Sequence, residues 1–245
     1  MVFNRVNSIA EALNSVQAQS WHDIEQVIVD GGSTDGTLQV LQNYLDVPFS
    51  AGYQVLLKSE PDQGIYDALN KGFARATGEV IGLMHSDDFF ADCKVLDRVA
   101  CAFADAPVDA VYGDLDYVSK KDPSSIVRRW RSGNYSSAKL QYGWMPPHPT
   151  LFLRRRVIER WGVFDTNFKV AADYDAILRY FHQGKIKPVY IPKVMVKMRL
   201  GGESNRSIKN IFLKTKEDYK ALRQNGVGGF WALFCKNVRK LSQFI

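Results

Sequence analysis

Cysteine is scarce in this chain: Cys93, Cys101 and Cys235 are the only three in 245 residues. An odd count without short Cys-x-x-Cys spacing excludes a disulfide framework and a thiolate metal site, and fits a reducing, cytoplasmic compartment. Long hydrophobic runs are missing too. No stretch approaches the roughly 18 apolar residues of a membrane span, and no basic-then-apolar secretory signal opens the chain. Internal repeats and low-complexity segments are also absent. These absences leave a soluble or surface-attached protein. The composition, 46% hydrophobic and 24% charged, supports a sizeable core. The net charge of +6 is uneven, with Arg128, Arg129 and Arg131, then Arg154, Arg155 and Arg156, then Lys236, Arg239 and Lys240 supplying much of it. The basic residues are scattered along the chain, without the repeated interleaving with aromatics of single-strand binders, so nucleic acid is not an expected partner.

Periodicity predicts alternating strands and helices through the first half. Strands are expected at 26–30, 53–59, 80–84 and 110–113, with helices near 34–44, 64–76 and 93–104. That alternation argues for an α/β fold with a mostly parallel sheet covered on both faces, whose ligands bind beyond the carboxyl ends of the strands. Beyond Gly113 the pattern loosens. Asp122-Pro123-Ser124-Ser125 reads as a turn and 143–149 as a Pro-rich loop. Helices are expected near 154–161 and 173–182, strands at 187–191 and 194–200, and a helical tail from Ser207 broken at Gly226-Val227-Gly228-Gly229.

Asp87 and Asp88 follow the apolar run Val80-Ile81-Gly82-Leu83-Met84 and the pair His85-Ser86. Adjacent carboxylates at a strand end repel each other, and a cation between them and a ligand relieves that repulsion. Their hard oxygens suit Mg²⁺ or Mn²⁺, metals that bridge readily to phosphate. Capping the next helix is an equal claim on the same residues. Asp30-Gly31-Gly32-Ser33-Thr34-Asp35-Gly36-Thr37 is a strand end, a glycine turn and a helix start. Its carboxylate suits a base or ribose, although an ordinary βα turn would look the same.

Four motifs then fall in order: Asp30-Gly31-Gly32-Ser33-Thr34-Asp35-Gly36-Thr37; Asp62-Gln63-Gly64-Ile65-Tyr66-Asp67-Ala68-Leu69-Asn70-Lys71-Gly72; Ala76-Thr77-Gly78-Glu79; and Ser86-Asp87-Asp88. Together they resemble the family 2 glycosyltransferases over about residues 3 to 200. The resemblance implies a GT-A (Rossmann-like) fold and inverting transfer of a sugar from a nucleotide-sugar donor. It carries Asp30 to the nucleotide base, Asp62 to the donor site, Asp87 to the ribose or metal region, and Asp88 to the metal (Mg²⁺ or Mn²⁺) and diphosphate. Asp173, in Val170-Ala171-Ala172-Asp173-Tyr174-Asp175, matches the later acidic motif in which the Asp is the catalytic base. Ala172 stands where Glu is often found, and Asp175 is the fallback base. Burial near a sugar pocket is expected to raise the pKa of such a base. His148, in Met145-Pro146-Pro147-His148-Pro149-Thr150, is expected to face a diphosphate oxygen. Trp144 and Trp161 are candidates for the acceptor cleft, and Arg154, Arg155 and Arg156 for offsetting phosphate charge.

The resemblance also implies an apolar first strand, of which Met1-Val2-Phe3-Asn4-Arg5 retains only the end; a true start further upstream is the favoured explanation. The expected organisation is a catalytic domain at 1–205, nucleotide-binding over residues 1–115 and acceptor-side over residues 116–205, followed by an amphipathic helical extension at 206–245. In that extension Phe230, Phe234, Val238, Leu241 and Ile245 share one face, with Lys236, Arg239, Lys240 and Gln243 largely elsewhere. Such a face suits an anionic membrane surface, here the inner side of the cell membrane, as well as it suits a helix partner. The expected acceptor is a saccharide or lipid-linked glycan in cell-surface polysaccharide biosynthesis. A nucleotidyltransferase and a nucleotide-sugar binder without turnover are the competing readings.

Overall fold

The computed structural model describes residues 1–104, 107–201, 208–241 and 243. Its amino-terminal half runs α1 (Ile9–Gln17), β1 (Ile24–Asp30), α2 (Thr37–Leu45), β2 (Tyr53–Ser59), α3 (Ile65–Arg75), β3 (Val80–Ile81), β4 (Phe89–Phe90) and α4 (Val95–Ala104). The remainder runs β5 (Ala110–Val118), β6 (Ile126–Trp130), α5 (Ser137–Leu140), β7 (Phe152–Arg154), α6 (Arg155–Trp161), α7 (Ala172–Leu178), β8 (Pro188–Arg199), α8 (Ile208–Gln224) and α9 (Phe230–Leu241).

β1 and β2 pair in parallel, from Ile24 opposite Tyr53 to Asp30 opposite Ser59, so both strands end at the same level. Val2 bridges to Asp30 in parallel; its N–H donates to Val29 at 2.9 Å and its carbonyl accepts from Gly31 at 2.9 Å. Val2 is fully buried with Ile9, Ala12 and Leu13 of α1 and Leu41 and Tyr44 of α2. Those α1 residues recur at three- and four-residue steps, which gives the helix one apolar face for the sheet.

The second sheet is built around β5, which pairs in parallel with β8 and antiparallel with β6 and β7. β3 joins β7 and β4 joins β8, both antiparallel. Parallel pairing thus characterises β1 with β2 and β5 with β8. The other pairings run antiparallel, β6 because the turn at Asp122 folds it straight back onto β5.

Three elements differ from their sequence expectation. The strand at 80–84 ends at Ile81. The strand at 110–113 runs on to Val118, because Asp114 and Asp116 are accommodated inside the sheet. Arg131 pairs with both, the Ser132 N–H donates to Asp114 at 2.8 Å, and the Tyr190 hydroxyl donates to it at 2.8 Å. The two late strands are one, β8, which passes Pro192 at a register shift: Tyr112 faces Tyr190, but Asp114 faces Val194. The extra residues form a bulge that leaves the proline without a ladder bond to make.

α8 and α9 form the helical pair expected around the 226–229 break. Ala221, Leu222, Val227, Ala232 and Leu233 join the main core cluster with Tyr174, Ile177 and Phe181. Gly143 seats α9: its φ is +68°, and a Cβ there would lie 2.5 Å from the Ala232 carbonyl oxygen.

Candidate active site

The first group of site residues gathers where β1 and β2 end. Asp30 is fully buried, and its carboxylate accepts from the Gly32 and Ser33 N–H groups and from the Ser33 and Ser59 hydroxyls, the last at 2.6 Å. These bonds fix the turn after β1, so Asp30 shapes the loop while its oxygens are occupied within it. Asp62, half-buried in the loop after β2, accepts from the Gly64 N–H at 2.8 Å and leans over Gly31. A Cβ at Gly31 would lie 2.2 Å from Asp62 Oδ2, so the absence of a side chain lets the two loops close on each other.

Asp87 and Asp88 lie just before β4. The Arg199 N–H, at the end of β8, donates to Asp88 Oδ1 at 3.3 Å, and the Arg199 guanidinium donates to the Asp87 carbonyl at 3.1 Å. Asp88 is buried, and its Oδ2 has no hydrogen-bond partner among the described residues. Burial, then the charge of Asp87, pushes the Asp88 carboxyl well above the usual carboxylate range. A divalent cation would relieve both penalties, so this carboxylate fits one. No cluster of three or more His, Cys, Asp or Glu that could hold a metal occurs among the described residues. That is compatible with Mg²⁺-type coordination, in which one or two carboxylates combine with substrate phosphate oxygens and water.

Asp173, the second residue of α7, is gripped from two sides. His148 Nδ1 lies 3.1 Å from Asp173 Oδ2, and the Tyr66 hydroxyl donates to Oδ1 at 3.2 Å. His148 Nε2 in turn lies 2.8 Å from Nε2 of buried His85. His148 donates from Nδ1 to Asp173, and one hydrogen bridges the two Nε2 atoms, so His148 links His85 to the carboxylate. Burial, then the charge of His148, lowers the His85 pKa to about 3, so its ring is neutral. Burial and the Asp173 charge push the Tyr66 phenol far above its ordinary value, keeping it a donor.

The Asp173 pKa moves opposite to the sequence expectation. Burial does favour the protonated form, but the His148 hydrogen bond and the charges of His148, Lys214 and Lys236 outweigh it. The carboxyl ends well below the usual range. His148 likewise has both ring nitrogens engaged, so a diphosphate contact would require one of these bonds to break.

Other candidates belong to the scaffold. Asp175 is paired with Arg179 at 3.1 Å and accepts from the Asn225 amide at 2.7 Å, and its side chain is 2% exposed against 19% for Asp173. Trp144 is a core residue whose indole N–H donates to Ser132 at 2.8 Å, rather than a wall of a cleft. Trp161 packs against the same core and stacks with the Arg160 guanidinium. Arg154 pairs with Glu79, Arg156 with Asp109 at 2.8 Å, and Arg155 with backbone carbonyls at 76 and 77, so all three bind protein groups. Lys236 is buried against Asp218 at 2.7 Å, because α8 presents that acid to what the periodicity marks as a polar face. Tyr66, His85 and Arg199 carry no sequence-based assignment. The first two stand inside or beside quoted motifs, yet no local pattern shows that they reach across 107 and 63 residues.

A profile described as "Glycosyl transferase family 2" matches residues 1–162. A Mycobacterium bovis protein named PGL/p-HBAD biosynthesis glycosyltransferase is 31% identical over 204 residues, covering 82% of this chain and 76% of that protein. An uncharacterised glycosyltransferase of Nostoc is 34% identical over 193 residues, 76% of this chain and 59% of its own length. Among solved structures, S. aureus TarS in complex with UDP-GlcNAc superposes with a TM-score of 0.65 at 19% identity over 93% of this chain. The mannosyltransferase PcManGT from Pyrobaculum calidifontis, in complex with GDP-Man and Mn²⁺, gives 0.68 at 19% over 96%. This chain spans 66% of each of those two solved chains, just under two thirds.

Proposed function

The chain belongs to glycosyl transferase family 2, a glycosyltransferase with the GT-A fold, and from that premise we propose metal-dependent, inverting transfer of one sugar from a nucleotide-sugar donor. The acceptor in this reading is a hydroxyl of a saccharide or lipid-linked glycan in cell-surface polysaccharide assembly. The observation that carries it is Asp173, held ionised between His148 and Tyr66, in a fold that ends β1 at Asp30 and carries Asp62 in the loop after β2 and Asp88 just before β4. The UDP-GlcNAc and GDP-Man bound to the two structural neighbours support the donor class, and the Mn²⁺ of one supports a divalent cation.

Asp30 shapes and Asp62 lines the nucleoside end, with Asp87 toward the ribose. Asp88, whose Oδ2 has no hydrogen-bond partner among the described residues, would hold a Mg²⁺ or Mn²⁺ ion, and such an ion would supply Lewis-acid stabilisation of the leaving diphosphate. Asp173 accepts the proton of the acceptor hydroxyl as that oxygen attacks the anomeric carbon. The new C–O bond forms opposite the breaking bond to the diphosphate, and the proton leaves Asp173 for solvent. A carboxylate with a lowered pKa is a weak base, so transfer occurs late, once attack has acidified the hydroxyl. His148 holds Asp173 in place, and His85 holds His148.

A place at the inner membrane surface rests on α9. Phe230, Trp231, Phe234 and Val238 are 77%, 63%, 52% and 45% exposed, and Trp231 stacks on Phe234 with centroids 5.7 Å apart. The Leu241 side chain and Ile245, the other positions of that stripe, lie outside the described residues. No described helix is long and apolar enough to cross a membrane, so contact through this face would be peripheral.

The test is product analysis with UDP-, GDP- and dTDP-sugars and Mg²⁺ or Mn²⁺. The reading requires metal-dependent nucleoside diphosphate release, lost in Asp88→Ala. In Asp173→Asn, transfer should fall about 10²–10⁴-fold with donor binding retained. Pyrophosphate release when a nucleoside triphosphate and a sugar phosphate are supplied instead would identify a nucleotidyltransferase, and donor binding without turnover would identify a binder.

A further inference from the structure

We propose that Glu217 of α8 is a positioning residue for the acceptor base, acting through the backbone that leads into α7 rather than through any contact with substrate. The inference rests on the reading of Asp173 as that base. It also makes the carboxyl-terminal helical pair a working element of the site.

The entry to α7 has no local cap. Ala171 occupies the N-cap position, and no side chain of the helix's own sequence bonds the first turn. The buried amides of the segment that leads into the helix, up to the N-cap Ala171, need partners. Glu217, buried and 46 residues downstream of Ala171, provides them. Its Oε2 accepts from the N–H groups of Val170 at 2.9 Å, Ala171 at 3.1 Å and Lys169 at 3.1 Å, and its Oε1 accepts from Lys169 at 3.0 Å. One carboxylate therefore fixes three consecutive peptide units that end two residues before Asp173. A negative charge at this end of the helix also complements its dipole.

α8 holds α7 at two further points. Asp218, beside Glu217, pairs with Lys236 of α9, and the Lys236 ammonium sits 3.1 Å from the centroid of the Tyr174 ring, next to Asp173. Asn225, just past the end of α8, donates to Asp175. Backbone before Asp173, the side chain after it and the next acidic residue are all tied to one hairpin. None of these bonds involves the loops after β1 and β2, so disturbing them should displace the base and leave the donor loops unchanged.

The experiment is a double-mutant cycle. Glu217→Leu removes all four acceptor contacts, while Glu217→Gln keeps a carbonyl oxygen that can take the place of Oε2. A displacement of about 1 Å at a reacting group can cost 10²-fold. The expected result is a fall in kcat of at least about tenfold in Glu217→Leu and a smaller fall in Glu217→Gln, with the donor KM unchanged in both. In the Asp173→Asn background, both substitutions should cause no further loss, because a positioning residue has nothing left to position. Unchanged kcat, a fall that repeats in full in the Asp173→Asn background, or a parallel loss of donor binding would each overturn the proposal. Should Glu217→Leu fail to fold, the Glu217→Gln pair carries the same comparison. Full activity of Asp173→Asn would instead remove the reading of the base, and this inference with it.

Discussion

Acidification should cost this protein stability in part through His85, and replacing His85 with asparagine should remove that part. His85 is buried, with a folded pKa of about 3 against an ordinary value of about 6.5. Between those values the unfolded chain holds a proton that the folded chain refuses. Stability therefore rises with pH across the window and is lost as pH falls below about 6.5. From pH 7.5 to 5.5 the linkage amounts to about 1.4 kcal/mol, or roughly 3–6 °C in Tm for a domain of this size. Asp173, with a lowered pKa, is lost only below the ordinary carboxylate range and stays silent in this interval. Asp88, with a raised pKa, runs in the opposite sense, but it is present in both proteins and cancels in their difference. The assay is chemical or thermal unfolding of the parent and His85→Asn at pH 7.5 and 5.5. The parent should lose about 1.4 kcal/mol more than the variant. Equal losses would show that His85 titrates normally, and that the His85–His148–Asp173 chain is not closed as described.

Two further outcomes test the carboxyl-terminal hairpin. Gly143→Ala places a Cβ against the Ala232 carbonyl at a positive φ, so it should destabilise the fold by roughly 1–3 kcal/mol through the clash alone, read as a lowered Tm; an unchanged Tm would show that α9 yields freely. Replacing Phe230, Trp231 and Phe234 with serine should abolish sedimentation with anionic phosphatidylglycerol vesicles while leaving the Tm within a few degrees of the parent. Equal sedimentation of the parent with neutral phosphatidylcholine vesicles would show that charge plays no role. No sedimentation of the parent with either would remove the membrane reading.

How much of this was legible in the sequence depends on how far each contact reaches along the chain. The turn at Asp30 was readable because strand end, glycines and helix start are neighbours. Asp87 and Asp88 were readable because an apolar run stops just before them. The expectation for Asp173 placed it correctly at a helix start but gave the wrong direction for its pKa, since the deciding charges come from His148, Lys214 and Lys236 on other elements. Asp114 and Asp116 looked like the end of a strand, because nothing local reveals that Arg131 enters the sheet to meet them. Lys236 followed the polar face of a helical pattern, and only the partner helix turns that position inward. Periodicity marks where a side chain leaves its own element; it carries no information about what is waiting there.

Asp88 Oδ2 has no hydrogen-bond partner among the described residues, and a divalent cation bound there would make proton and cation rivals for one oxygen. A carboxyl held well above its ordinary pKa keeps its proton to higher pH than a free one, and an ion that binds the carboxylate must compete with that proton. Apparent cation affinity then climbs with pH until the carboxyl is fully ionised, and each binding event acidifies the medium. If Asp88 does hold the proposed cation, the acidity of the surroundings would be read through its occupancy.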